Sequence, residues 1–461
     1  MNRLVLRLKS RLAAVLIVAG TFALVFLTPE SLLAQEALVA SVNPNSAMES
    51  SPPIAPEQSI DLTNELNPPL PAATDTAESA AVESPHVDSG IPRRFHYELH
   101  LNIHSVYDDN INISHNATTS DFFTAIEPSV MLALGDATSG EGNFLRLNYL
   151  ASWFLFADHD ENNGLQHILH LQGGYRTNRL TLDLTQSVQI LDGTDVRSLN
   201  SAGSFDQQVN LDVAGRTQYN IYVTHLNAAY YLTGKTSLSV GADYTANDYD
   251  TLISSEVFSA NLFLNYNYSP KFVIGVGGTF GADRVDDPNP DQTFEQANVR
   301  LSYQATGKID IAASAGVEFR HFDGDLRDQY TSPVFEIQVN YLPFDGTQLS
   351  LTANRRMLNS AVLAAQNYAI TNLTISAQQR LLQRFFLGLN VGYERANYFS
   401  TVGAAGPERD DDYFFVEPSI SARVTRFWTV GAYYLHRAND SSFDDFSFHD
   451  NQVGLRSTLT F

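Results

Sequence analysis

From Phe95 to the terminal Phe461 the chain alternates apolar and polar residues with a period of two, and this constrains its fold more than any other feature. Phe95, Tyr97, Leu99, Leu101 and Ile103 are interleaved with His96, Glu98, His100, Asn102 and His104. The same pattern recurs at Leu238–Tyr244, Phe335–Tyr341 and Phe385–Tyr393. Successive side chains of a strand point to opposite faces, so each segment has one oily and one polar face. No helical 3.6 pattern of comparable length competes with it.

The punctuation between these segments divides into two kinds. Short turns fall at Arg176–Arg179, Thr233–Lys235, Ser269–Lys271, Thr306–Lys308, Phe344–Gly346, Leu382–Arg384 and Thr425–Phe427, with a somewhat longer one at Gly135–Gly142. Longer polar loops alternate with them, at about 108–120, 157–164, 191–218, 249–255, 283–292, 322–330, 359–367, 399–410 and 439–448. Eight turns and nine loops separate 18 strands of about 10–14 residues. That even number and that length suit an all-β, transmembrane, antiparallel up-and-down barrel. A soluble β-sandwich also alternates, but it repeats within about 100 residues and does not keep its long loops on one side.

In such barrels the short turns face the periplasm and the long loops face outward. The short turns here carry Arg176, Arg179, Lys235, Lys271, Lys308, Arg384 and Arg426, whereas the long loops are acidic, as at Asp108-Asp109, Asp283–Asp291 and Glu408–Asp412. The acidic loops are read as solvated, with a cation-bridged contact to lipopolysaccharide as the sharper alternative. The last strand ends Val453, Leu455, Leu459, Phe461 on one face. A terminal Phe on an apolar alternating strand is similar to the signal read by the bacterial barrel-assembly machinery.

Residues 1–34 read as a signal peptide. Arg3, Arg7, Lys9 and Arg11 precede an uncharged run, Leu12–Leu27, and Ala34 suits cleavage. The run is short for a membrane-spanning helix, which is the alternative. Residues 35–94 hold nine prolines, no aromatic residue and no Lys or Arg before Arg93. Such a segment cannot bury enough apolar surface to order itself, and it is read as an acidic, disordered periplasmic linker.

Composition narrows the function. Asp and Glu number 51 against 28 Lys and Arg, a net charge of −23 that repels nucleic-acid phosphates. The absence of Cys removes disulfides, thiolate nucleophiles and Cys-ligated metals. His96, His100 and His104 share a face, but their four-residue spacing is ~14 Å per step, too far for one metal. No nucleophile elbow, zinc-protease helix or phosphate-binding loop is present, so neither catalysis nor a cofactor is expected. An envelope hydrolase is kept only as a third reading.

The chemistry that remains lies on the inward faces. They are expected to carry Glu98, Asp183, Asp243, Asp310, Glu318, Glu336, Glu394 and Glu417, together with Arg146, Arg300, Arg320, Arg356, Arg423 and Arg456. So balanced a set argues against strong ion selectivity. Small residues such as Gly275, Gly277, Ser350, Thr352 and Asn354 fit a hydrated passage, unless the mixed charges pair across the lumen and close it. Barrels of this size can hold an aqueous channel. The loop 191–218, with Asp192, Asp195, Arg197, Asp206, Asp212 and Arg216, is long enough to fold into the bore or to cap it.

Tyr107-Asp108-Asp109-Asn110-Ile111, followed by Asp121-Phe122-Phe123 and Glu127-Pro128-Ser129, resembles the opening of the outer-membrane β-barrel porin 2 family. Val416–Ile420 echoes Ile126–Val130, and each proline is expected to mark a bulge or distortion. The resemblance implies an outer-membrane barrel over 95–461 and, by the family's association with exopolysaccharide or capsule clusters, polysaccharide as a partner beside lipid and lipopolysaccharide. The leading expectation is a porin-like channel for passive passage of small hydrophilic solutes. The alternative is a non-conducting structural or surface-binding barrel.

Overall fold

The computed structural model describes residues 95–135, 142–193, 211–213, 215–323, 329–401 and 408–461. The signal peptide, the linker and most of loop 191–218 lie outside the described residues. The strands are β1 (Phe95–Asp108), β2 (Asp121–Gly135), β3 (Phe144–Phe156), β4 (Gly164–Arg176), β5 (Leu180–Leu191), β6 (Tyr219–Tyr231), β7 (Thr236–Tyr249), β8 (Ser255–Ser269) and β9 (Phe272–Val285). They continue as β10 (Gln292–Thr306), β11 (Ile309–Phe322), β12 (Gln329–Tyr341), β13 (Thr347–Asn359), β14 (Gln366–Leu381), β15 (Phe385–Ser400), β16 (Asp410–Thr425), β17 (Trp428–Ser441) and β18 (Phe448–Thr460).

Each strand pairs antiparallel with the next, and β18 pairs with β1 from His100↔Thr460 to Asp108↔Gln452. Closure leaves no sheet edge apart from the long-loop ends of β12 and β13, and a closed sheet is the condition for β-structure in hydrocarbon. Phe461 completes the seam. Its amide donates to the Leu99 carbonyl at 2.8 Å, and its carbonyl accepts from the Leu99 amide at 3.2 Å. Among the described residues no helix is long and apolar enough to cross a membrane.

The oily face is the outer one. Leu262, Leu264 and Tyr266 of β8, Val276 and Phe280 of β9, Leu387 and Leu389 of β15 and Val453 and Leu455 of β18 are all exposed. Strands run to 16 residues, as in β14 and β15, longer than the alternation suggests. The extra residues lie toward the long-loop end.

Pro128 and Pro418 interrupt the ladder without bulging it. Ile126↔Trp153 and Ser129↔Leu150 keep one register, as do Val416↔His436 and Ser419↔Tyr433. Each proline still faces a leucine on its other side, Leu101 or Leu389. The lost bond is therefore a local gap and the expected bulge is absent, because both flanking strands hold the register on either side of it.

Eighteen strands spaced ~4.8 Å apart and tilted ~40° make a ring roughly 35 Å across, backbone to backbone. A ring of that width is broader than side chains from opposite walls can span.

Candidate functional site

Every charged residue expected in the bore shares the face opposite the exposed apolar side chains. Their surroundings differ along the barrel axis. At the short-turn end half-buried polar and charged residues share the wall with a small apolar cluster of Met131, Ala133 and Phe144. Glu98 is flanked by His96 at 2.8 Å and His100 at 3.5 Å, and Arg176 pairs with Asp183. Arg146, Asp310, Glu336, Arg423 and Arg456 line the same region, with Ser350, Thr352 and Asn354, all half-buried.

Toward the long-loop end the charges are buried and paired along the wall, not across it. Asp243 takes hydrogen bonds from His225 at 2.7 Å and from Ser259 and Asn261. Arg300 donates to Asn265 and Ser239 and lies over the Phe263 ring, 4.1 Å from its centroid. Arg320 bridges Glu318 at 2.7 Å and Asp283 at 3.3 Å. Glu394 lies beside Arg356 and Asn372, and Glu417 beside Arg456 and Asn390. Cross-lumen pairing, one of the two expectations, is not how these charges are satisfied. Partners one to three strands away are within reach, whereas the far wall is not.

The Gly-rich wall does not form an open, small-sided passage. A Cβ at Gly277 would overlap Phe263, one at Gly281 would overlap Phe294, and one at Gly392 would overlap Phe415. These glycines are seats for aromatic rings from the next strand, which lie against the inner wall. A larger inward cluster joins Val106, Phe123, Phe154, Phe156, Tyr413, Phe415, Tyr433, Leu435 and Phe448, with Ile111, Ile113 and Leu211 supplied by loops. Apolar side chains also face inward at the short-turn end, where Met131 and Ala133 pack with Phe144, so small polar residues such as Ser350, Thr352 and Asn354 line only part of the wall.

Three inturned segments pack together at the long-loop end. Ile111 and Ile113 enter from the β1–β2 loop. The β13–β14 tip leans over the bore: Asn359 donates to Asp283, Gln292 donates to Asn359 at 2.7 Å, and Ile253 donates to the Ala361 carbonyl at 3.0 Å. The third is Leu211–Val213 of the β5–β6 loop. It springs from one wall and docks against β15 and β16, about nine strands away around a ring of 18.

Asp212 is the knot. It accepts from the Ser360 hydroxyl at 2.7 Å, the Ala361 amide and the Tyr398 hydroxyl at 3.2 Å. Arg409 donates to the Leu211 and Asp212 carbonyls, pairs with Asp411, and lies over the Phe446 and Tyr398 rings at 3.5 and 4.6 Å. Burial pushes the Asp212 carboxyl above the usual carboxylate range, although Ser360, Ala361, Arg409 and Tyr398 all oppose that shift. Arg216, nearer the root of the same loop, donates to the Asn162 carbonyl at 3.0 Å and lies over Phe156 at 5.0 Å.

Sequence reasoning named Asp212 as one of six charged loop residues but gave it no partner, and it missed Arg409 altogether. It also missed the inward aromatics, whose signal was available. Consecutive rings such as Phe122-Phe123 and Tyr413-Phe414-Phe415 cannot all face lipid in a strand.

Two further acidic features are engaged within the wall. Asp108, Asp109 and Asp450 offer oxygens within 4.8 Å of one another. Their oxygens already take bonds from Asn110, Gln452, Asn451 and Arg437, which tie β18 to β1. Glu127 sits between His104 at 2.7 Å and Ser152 at 3.0 Å. The carboxylate occupies the place at the hydroxyl that a general-base imidazole would need.

A model of the family described as "Putative beta-barrel porin 2" matches residues 95–461. No curated protein matches the sequence. Among solved structures, the outer membrane protein OpdK from Pseudomonas aeruginosa is 11% identical, with 79% of this chain and 99% of that chain covered and a TM-score of 0.42. OccK2 (OpdF) of the same organism, solved with glucuronate, is 10% identical, covering 80% and 98% at a TM-score of 0.42. OccAB4 from Acinetobacter baumannii is 9% identical, covering 79% and 98% at 0.40. At these scores nothing about solutes carries over.

Proposed function

Since the chain belongs to the beta-barrel porin 2 family, an outer-membrane, porin-like barrel, we propose that it passes small hydrophilic solutes by diffusion and that its long-loop cap gates the passage. The observation that carries this reading is the asymmetry of the bore. Half-buried polar and charged residues, Glu98, Arg146, Asp310, Glu336, Arg423 and Arg456, line the wall below loops that are tied together at the other end through Asp212 and Arg409, the cap of this reading. Wall charges set preference in this vestibule, and the cap sets whether the route is continuous. The family's association with exopolysaccharide clusters puts oligosaccharides among the solutes to test. Residues 35–94 are read as a spacer on the periplasmic side.

The test is planar-bilayer conductance of the refolded barrel, followed by liposome swelling with neutral, anionic and cationic sugars. Discrete current steps and swelling support the channel. A second reading, a non-conducting structural barrel, is favoured by the aromatic lining of the long-loop half. Silence across salts and voltages, both in the native chain and after the cap is cut, selects it.

A further inference from the structure

The barrel wall is incomplete between β12 and β13. Their pairing runs from Tyr341↔Leu349 only as far as Phe335↔Arg355. Beyond it, Gln329–Val334 pairs with β11 alone and Arg356–Asn359 with β14 alone. The split is filled by Tyr330 stacked on Phe399, with centroids 4.0 Å apart, and by Phe322, Met357 and Ala369. It exists because the β13–β14 tip leans inward to reach Asp283 and Gln292.

At the foot of this split the lipid-facing surface changes character. Arg355, Thr371, Arg395 and Asp412 lie in register across β13 to β16. They share the face of Leu373, Ile375, Leu389 and Tyr393, all exposed. Arg355 donates to the Thr371 hydroxyl at 2.6 Å, but its Nε is buried with no acceptor. Asp412 is engaged by the Tyr393 hydroxyl, and Arg395 lies beside that same hydroxyl. Among the described residues neither guanidinium forms an ion pair.

Arg355, whose Nε lacks an acceptor, and Arg395, which shares the Tyr393 hydroxyl with Asp412, lie two strands and roughly 10 Å apart with the Thr371 hydroxyl between them, at the edge of a hydrocarbon band where a further anion would be stabilised. Long loops mark the outer side of such barrels, so this edge meets the headgroups of the outer leaflet. The guanidinium fork fits a phosphate monoester, and long side chains can converge on one from either side. Acyl chains of the same molecule would lie along Leu373, Ile375 and Leu389. We propose that Arg355, Thr371 and Arg395 form a binding site for the phosphate of an outer-leaflet glycolipid, seated at the foot of the β12–β13 split.

The full barrel in detergent is titrated with diphosphoryl lipid A and with its dephosphorylated form, and bound lipid is read by native mass spectrometry. The site predicts that removing the phosphates weakens binding roughly tenfold or more, and that R355Q/R395Q does the same. Arg384→Gln, at the opposite rim, leaves binding unchanged. Heat-modifiable gel mobility checks that each variant is folded, and the dephosphorylated arm needs no variant. Inorganic phosphate at millimolar concentration should not compete. Equal binding of both lipids would overturn the proposal, as would full retention by the folded double variant. Complete displacement by inorganic phosphate would overturn the assignment to a lipid.

Discussion

Arg409→Ala is the sharpest perturbation of the cap. Arg409 and Asp411 are both at 0% exposure, and the guanidinium also holds the Leu211 and Asp212 carbonyls. Truncation leaves the Asp411 carboxylate buried without its cation, a loss of about 3–5 kcal/mol when one partner of a buried pair is removed. The contacts that cross to the cap are the bonds to the Leu211 and Asp212 carbonyls, about 1.5–3 kcal/mol for a charged donor, so at about 1.4 kcal/mol per factor of ten the ratio of docked to undocked cap falls by roughly one to two orders of magnitude. Arg409 lies outside the strands and its partner Asp411 sits at the long-loop end of β16, so fraying should stay at that end while the rest of the ladder survives. The assay is single-channel recording of refolded protein, with gel mobility as the check of folding. R409A is expected to spend more time in a high-conductance state than the native chain. Adding Asp411→Asn should restore part of the closed fraction, because it removes the orphaned charge. A folded R409A barrel with an unaltered current record would refute the argument that this contact holds the mouth shut.

Three further outcomes follow from the same structure. The Asp212 carboxyl is raised in the docked state, so docking favours its protonated form; its contribution is complete below the ordinary carboxylate range near pH ~4 and is lost as pH climbs through the raised value. Closures should therefore lengthen on acidification, and Asp212→Asn should flatten that pH profile in bilayer recordings. Gly392→Val forces a side chain into the Phe415 ring and should destabilise the barrel by about 1–3 kcal/mol in a urea refolding titration, whereas an equal midpoint would show the seat to be loose. Leu455→Arg, on the lipid face near the middle of β18, should cost about 2–4 kcal/mol in vesicle refolding, while Thr352→Arg in the vestibule should cost far less.

What the sequence made legible was the wall. Period-two alternation depends only on neighbouring residues, so Phe95–Ile103 or Phe385–Tyr393 disclose strand, face and lipid contact at once. Alternating short and long connections disclosed the count of 18 and the two ends. The candidate site was legible only in part, because its contacts join residues far apart in the chain. Asp212 meets Ser360 across 148 positions, and Arg409 meets Leu211 across 198. No local pattern encodes such a docking. The aromatic lining was hidden for another reason: a glycine on the inward face looks like open space until its cross-strand neighbour is known, and Gly392 faces Phe415 only once the register is set.

The account turns on a bore that is wet from the short-turn end and shut at the other. The chain has no native Cys, so a single Thr352→Cys reports on the vestibule without background. The measurement is the rate of its modification by a maleimide too bulky for general porins, in intact cells, where only the long-loop end is reached, and in lysed cells, where both ends are. The account expects modification at least tenfold faster after lysis, and expects R409A to remove most of that difference. Equal rates in intact and lysed cells with the native cap, or no modification in either, would contradict it.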